Sequence, residues 1–344
     1  MKAAILEKIN EPLVIGDVDP MDLQVGQVLV KILVSGICGS QLHEIAGNKG
    51  NAKFVPHLLG HEGCGIVEEI GPGVSTVKRG NKVVMHWRKG DGIESDFPSY
   101  KYKDKLIKSG KVTTFSQYSI VSENRITAVP FETNTDFCAL LGCGLSTALG
   151  IIDNETDLKM GESFLVIGLG GLGMNLVRVA RIAGAYPIIA IDIQENKREI
   201  AESMGVDLFI NSKEQNVLDE IHKKFGIKNI DIIVDSSGNK YALENSIGLL
   251  SGFGRYIMLG HPKPNESIEL LNAVHMFEGE GKILKATQGG RFVPHVDIPR
   301  YIRLFNSGIL KIDDVISHRV KLDDINKAID LVRQGRAGRI LIDM

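Results

Sequence analysis

The sequence predicts an α/β chain in two parts, a partly closed β-barrel and a doubly wound parallel sheet. Roughly the first 150 residues read as short β-branched runs between glycine-rich turns. From Gly161 onward, apolar runs alternate with helical stretches, the rhythm of parallel strands crossed over by helices. Within that second part, Gly168-Leu169-Gly170-Gly171-Leu172-Gly173 follows an apolar run and opens a helix.

A chain of 344 residues suits two domains better than one or three. Hydrophobic residues at 43% and charged residues at 24% are those of an ordinary globular protein. The balance of 40 basic against 42 acidic side chains argues against nucleic acid as the main partner. The N-terminal run Ala3-Ala4-Ile5-Leu6 meets Glu7 and Lys8 at once, so no secretory leader core forms. No apolar run approaches the roughly 20 residues that span a bilayer. Four cysteines without paired spacing make no disulfide framework. The cytoplasm is the expected address.

In the first part, Gln27 to Val34 is β-branched and partly alternating, as a strand requires. Gly65 to Ile70 and Lys82 to Met85 repeat the character, with Gly71-Pro72-Gly73 and Lys78-Arg79-Gly80-Asn81 as the turns between them. In the second part, Ser163 to Ile167 is a buried strand, and the helix after the glycine turn runs to Ala183. Pro187 to Ile191 is the next strand. Asp207 to Ile210, Asp231 to Asp235, Arg255 to Gly260 and Lys282 to Thr287 complete six, with helical stretches ending at Phe225 and starting near Tyr241.

The glycine turn has the strand–turn–helix context of dinucleotide binding. Gly168 makes the turn, Gly170 lets a pyrophosphate approach the backbone, and Gly173 allows the helix to pack close to the strand. Gly171 and Leu172 stand at the helix N-terminus, whose unpaired N–H groups and positive dipole end suit phosphates. Asp192 closes the next strand, nineteen residues beyond Gly173. A carboxylate there accepts hydrogen bonds from the adenosine ribose of NAD and repels the extra phosphate of NADP. The alternative role for Asp192 is a cap on the helix from Gln194.

A thiol, a hydroxyl and an imidazole crowd into Cys38-Gly39-Ser40-Gln41-Leu42-His43, and Gly60-His61-Glu62 adds a second imidazole and a carboxylate. Cys and His are ligands that zinc prefers, although a lone Cys is more often a small core residue than a ligand. Two ligands do not complete a site, and Cys143, in Gly142-Cys143-Gly144-Leu145-Ser146-Thr147, is the third candidate.

These three motifs in this order, with Gly65-Ile66-Val67-Glu68-Glu69-Ile70-Gly71 after the second, resemble the zinc-dependent medium-chain alcohol dehydrogenases. The similarity runs over essentially the whole chain, to Arg339. It implies a GroES-like catalytic domain over residues 1–147, completed by a return over 289–344, and a Rossmann NAD-binding domain over 148–288. By resemblance, Cys38, His61 and Cys143 hold one catalytic zinc, and Glu62 sits behind the metal as an outer partner or an exchanging ligand. Ser40 and His43 pass the proton to solvent through the cofactor ribose. Lys197 makes a second ribose contact, and Arg339 meets the cofactor pyrophosphate. Without the resemblance, Ser40 reads as a turn residue, His43 as a barrel histidine and Arg339 as a surface arginine. A homodimer or homotetramer is implied as well.

Two departures from the family stand out. Gln41 replaces an aspartate that in relatives takes the free N–H of the zinc-bound histidine, and an amide tunes that imidazole more weakly. No cysteine lies between Cys64 and Cys138, so the four-cysteine lobe of a structural zinc cannot be built. Cys64 and Cys138 read as core residues. Aligned on Gly80-Asn81-Lys82-Val83, Trp87 falls where relatives place an aromatic lining the alcohol pocket. His86, Arg88 and Lys89 around it favour a polar substrate, a polyol, a sugar derivative or a phosphorylated alcohol, the alternative being that Arg88 and Lys89 point to solvent and only Trp87 touches substrate. The lysine-rich stretch 100–111 reads as a solvated loop. The expected activity is hydride transfer between NAD(H) and an alcohol or carbonyl of a small molecule. The alternatives are a zinc-free quinone or enone reductase of the same superfamily and a cofactor-binding protein without turnover. Cys38, His61, Cys143 and Asp192 argue against the former, and the intact relay against the latter.

Overall fold

In the computed structural model, which describes residues 1–260, 262, 266–313 and 315–344 with the side chains of 51 and 52 left aside, the strand Gln27–Ile37 is the spine of the first unit. It pairs antiparallel with Gly63–Ile70, Tyr118–Ser122 and Arg339–Asp343. Three partners along one strand leave few of its side chains exposed, which is why its alternation is only partial in the sequence. These four strands belong to a seven-stranded sheet with Lys82–Met85, Ile126–Val129 and Ile316–Lys321. A second sheet of six strands runs from Val14–Asp17 through Lys2–Leu6 to Asp19–Pro20. Together the two sheets make the partly closed barrel.

The first unit comprises Met1–Ser146 and Val293–Met344, and the second Thr147–Phe292. The C-terminal segment is integral to the first unit's core: Ile325, Ile329, Ile340 and Ile342 are buried among Ala4, Leu6, Ile37 and Phe115.

The lysine-rich stretch departs from the sequence expectation. It is not a solvated loop but an antiparallel hairpin, Ser99–Tyr102 with Lys105–Lys108. Its lysines 101, 105 and 108 face out while Tyr100, Tyr102 and Ile107 pack against Ala3, Ile5 and Leu58. Each buried phenol has a partner: the Ile120 N–H donates to Tyr100 Oη at 2.6 Å, and Tyr102 Oη donates to Glu7 at 2.6 Å. A period of two with satisfied hydroxyls makes a half-buried strand of a sequence that its charge alone would send to solvent.

The second unit is a six-stranded parallel sheet in the order Leu208–Asn211, Ile188–Asp192, Phe164–Ile167, Ile230–Asp235, Leu250–Met258, Ile283–Ala286. The chain reverses direction of travel across the sheet at Phe164–Ile167, so the crevice beyond the carboxyl end of that strand is the natural ligand position in this doubly wound α/β fold. Both faces are covered, and Phe164, Leu165 and Val166 are fully buried. Among the described residues, no helix is long and apolar enough to cross a membrane.

Candidate active site

Cys38 directly follows the long central strand and caps the helix Gly39–Ile45. Its N–H donates to Gln41 Oε1 at 3.1 Å, so the side chain three residues into the helix holds the turn that presents the thiol. His61 follows Gly60, whose φ of +92° is a left-handed conformation; a Cβ there would lie 2.4 Å from Thr114 Oγ1. Cys143 sits in the turn before the helix Gly144–Asn154. Beside it, a Cβ on Gly142 would lie 2.3 Å from the Met85 carbonyl oxygen and 2.6 Å from Glu62 Cα. Only glycine lets the third segment come this close to the other two.

The three segments bring one ligand atom each from Cys38, His61 and Cys143 within 4.8 Å of one another. His61 Nε2 is buried without a hydrogen-bond partner. The Cys38 thiol is pulled well below its usual range, chiefly by its hydrogen bond with the Cys143 thiol and further by His61 and the Arg339 charge, against the effect of burial. Two thiols, one readily ionised, and an imidazole nitrogen in need of a partner fit a zinc ion with a fourth position open.

Glu62 lies behind this group and is fully buried. It forms a buried ion pair with Arg339 and accepts the Gly144 N–H at 3.3 Å. Arg339 is thus placed in the wall of the thiol–imidazole site, its side chain 4% exposed. Ser40 Oγ lies 3.4 Å and Gln41 Nε2 2.5 Å from His61 Nδ1. Ser40 and His43 share the helix Gly39–Ile45 at a spacing of three, the former half-buried and the latter exposed.

A cavity of about 340 Å³ adjoins His61, with Leu58, Leu59, Phe97 and Val112 among its apolar lining and Glu44, His57 and Lys108 among its polar lining. Trp87 lines a different cavity, and the Arg88 guanidinium stacks 5.6 Å from its ring. His86 turns into the core: Nδ1–H donates to the Arg88 carbonyl at 2.8 Å and Nε2 accepts from Thr127 Oγ1 at 2.9 Å. Burial pushes its pKa down to about 4, fixing a neutral tautomer. Sequence reasoning passed over Lys111, Arg125 and Phe97, which gather around Trp87. Lys111 was legible only as one lysine in a basic stretch, and Arg125, at the end of a short turn, carried no local signal.

In the second unit the glycine turn has its expected strictness. Gly168 has φ +86°, and a Cβ on Gly173 would lie 2.0 Å from the Gly168 carbonyl oxygen. Gly170 caps the helix Gly171–Ile182, with Gly171 and Leu172 half-buried at its start. Asp192 Oδ2 accepts the Leu169 N–H at 2.7 Å and Oδ1 accepts the Gln194 N–H at 3.0 Å. The carboxylate therefore sits against the glycine turn as well as capping its own loop. Lys197 is buried close by, its pKa lowered by burial and held up by the Asp192 charge.

The family profile of the alcohol dehydrogenase GroES-like domain matches residues 24–131, and that of the zinc-binding dehydrogenases matches residues 171–307. The S-(hydroxymethyl)glutathione dehydrogenase of Paracoccus denitrificans is 29% identical over 99% of both chains. A class-3 alcohol dehydrogenase of Pisum sativum is 28% identical over 99% of this chain and 97% of its own. An alcohol dehydrogenase zinc-binding domain protein from Burkholderia ambifaria superposes with a TM-score of 0.92 at 26% identity, over 100% of this chain and 98% of that one. Benzyl alcohol dehydrogenase from Acinetobacter calcoaceticus shares the fold, with a TM-score of 0.89 at 24% identity over 100% and 99% of the two chains. With its barrel, its parallel sheet and its thiol–imidazole group, the chain belongs to the zinc-dependent medium-chain alcohol dehydrogenases.

Proposed function

We propose that the chain transfers a hydride between NAD(H) and an alcohol–carbonyl pair, with one zinc per chain on Cys38, His61 and Cys143 and a polar small molecule as substrate. The observation that carries this reading is the convergence of two thiols and an imidazole from three distant segments within 4.8 Å. A zinc ion bound there supplies Lewis acidity to an alcohol or carbonyl oxygen. The chain's own residues handle the proton. Ser40, half-buried beside His61, accepts it, and exposed His43 on the same helix hands it to solvent. Glu62 and Arg339 hold the wall behind the ligands. The apolar cavity beside His61 keeps water from the reacting carbon.

In the second unit, Gly168, Gly170 and Gly173 with the helix start at Gly171 and Leu172 take the pyrophosphate. Asp192 and Lys197 take the adenosine ribose, and the Asp192 charge favours NAD over NADP.

Elemental analysis tests the metal. One zinc per chain is expected, lost together with turnover in Cys143→Ser. Two tightly held zincs, or full activity in that variant, would sink the reading. For the cofactor, kcat/KM with NAD should exceed that with NADP, and Asp192→Ala should narrow the gap. Equal use of both by the parent would refute the role given to Asp192.

A further inference from the structure

The cavity beside Trp87, about 380 Å³, has no part in the chemistry above. Three cations meet a single carboxylate there: Lys89, Lys111 and Arg125 all pair with Glu94. The surplus is positive, and it is not a purely surface charge, since the Lys111 and Arg125 side chains are 23% and 13% exposed. Lys89 and Lys111 hold the Glu94 carboxyl down at about 2, so it is already ionised and has no further charge to offer. Two more donors lack an acceptor. Arg125 Nε and Trp87 Nε1 are shut off from water without a hydrogen-bond partner among the described residues. The other Arg125 nitrogens reach the Trp87 carbonyl and Glu94. Arg125 and Lys111 both line the cavity, and unbalanced charge in a half-buried space is costly unless an anion enters it.

This cavity is also next to the reacting end of the molecule. Phe97 and Val112 line both it and the cavity beside His61. The Trp87 backbone N–H donates to the carbonyl of Gly142, the neighbour of Cys143, at 3.4 Å.

We propose that the Trp87 cavity is a subsite for an anionic group, a carboxylate or a phosphate, carried by the substrate at the end remote from its reacting oxygen. The proposal rests on the metal-site reading and narrows its substrate class to anionic alcohols and aldehydes. Arg125 presents a planar fork and Lys111 a point charge to the anion. The apolar wall shared by the two cavities suits a short hydrocarbon linker between the anion and the reacting carbon. A neutral alcohol leaves the surplus positive charge unanswered and is discriminated against on that account.

Trp87 is the sole tryptophan of the chain, so its emission reports on the subsite without turnover. The zinc-loaded enzyme is titrated with inorganic phosphate and, separately, with succinate, each at constant ionic strength against sodium chloride. A saturable change in emission is expected, with the apparent Kd raised about tenfold or more in Arg125→Met, less in Lys111→Met, and partly restored in Arg125→Lys. A response to phosphate alone assigns a phosphomonoester, to succinate alone a carboxylate, and to both an anion of either kind. In turnover, kcat/KM for ω-hydroxyhexanoate should exceed that for hexanol by about tenfold, mainly through KM, and the ratio should collapse in Arg125→Met. An emission change no larger than that with chloride, equal responses in the parent and both methionine variants, or equal losses on both substrates would overturn the proposal. Hexanol turnover without an anion response leaves the metal reading standing and removes only the subsite; anion binding without any alcohol turnover does the reverse.

Discussion

Gln41 faces two demands that one amide cannot meet together. Its oxygen holds the Cys38 N–H, and its nitrogen faces His61 Nδ1. For His61 Nε2 to ligate a metal, Nδ1 must carry the ring proton, and it then meets an N–H donor; Ser40 Oγ at 3.4 Å is the remaining acceptor. A carboxylate has two oxygens and serves both neighbours. Gln41→Asp should therefore tighten zinc binding by about tenfold or more, measured by competition with a chromophoric chelator. An unchanged affinity would mean that Ser40 already suffices. A second residue sets a pH dependence. His86 has a folded pKa of about 4 against an ordinary 6.5. Between those values the unfolded chain binds a proton that the folded chain refuses. Its contribution is thus complete above about 6.5 and declines as the pH falls toward 4, by on the order of 3 kcal/mol. Urea midpoints across that range should slope less steeply in His86→Gln than in the parent, and parallel curves would reject the assignment.

Among the elements, the hairpin of Ser99–Tyr102 and Lys105–Lys108 turns on its buried phenols. Tyr100→Phe strands the Ile120 N–H inside the barrel and should lower unfolding stability by about 1–3 kcal/mol in urea titrations. Loss of a few tenths or less would mean that the N–H finds another acceptor. The hairpin also marks where sequence reading fell short. Tyr100, Tyr102 and Ile107 alternate with lysines at a strand's period, but the charge drew attention away from the alternation. The glycine turn was legible because its chemistry is local: Gly168, Gly173 and Asp192 constrain one another within a single strand–turn–helix–strand unit. The thiol–imidazole group was legible through its motifs, not its spacing, since nothing local ties Cys38 to Cys143. The Glu62–Arg339 pair and the gathering of Lys111 and Arg125 on Glu94 were not legible as contacts. Partners far apart in sequence are brought together only by the sheet that closes between them.

For the whole molecule, that closure has an energetic signature. Arg339→Met leaves the fully buried Glu62 without its counter-charge and should cost about 3–5 kcal/mol of stability. Adding Glu62→Gln should recover a substantial part, because a neutral buried amide needs no such partner. Denaturation of the parent, both single variants and the double variant gives the coupling directly, and additive losses would contradict it. The same strand, Arg339–Asp343, pairs with Ser35, Gly36 and Ile37, immediately before Cys38. A ribosome therefore releases Cys38 and His61 on the order of tens of seconds before the arginine that walls their site exists. Through that interval the nascent barrel lacks both an edge of its central sheet and the counter-charge for Glu62. A product stalled or truncated before Arg339 would hold Cys38, His61 and Cys143 without the wall that encloses them in the finished chain.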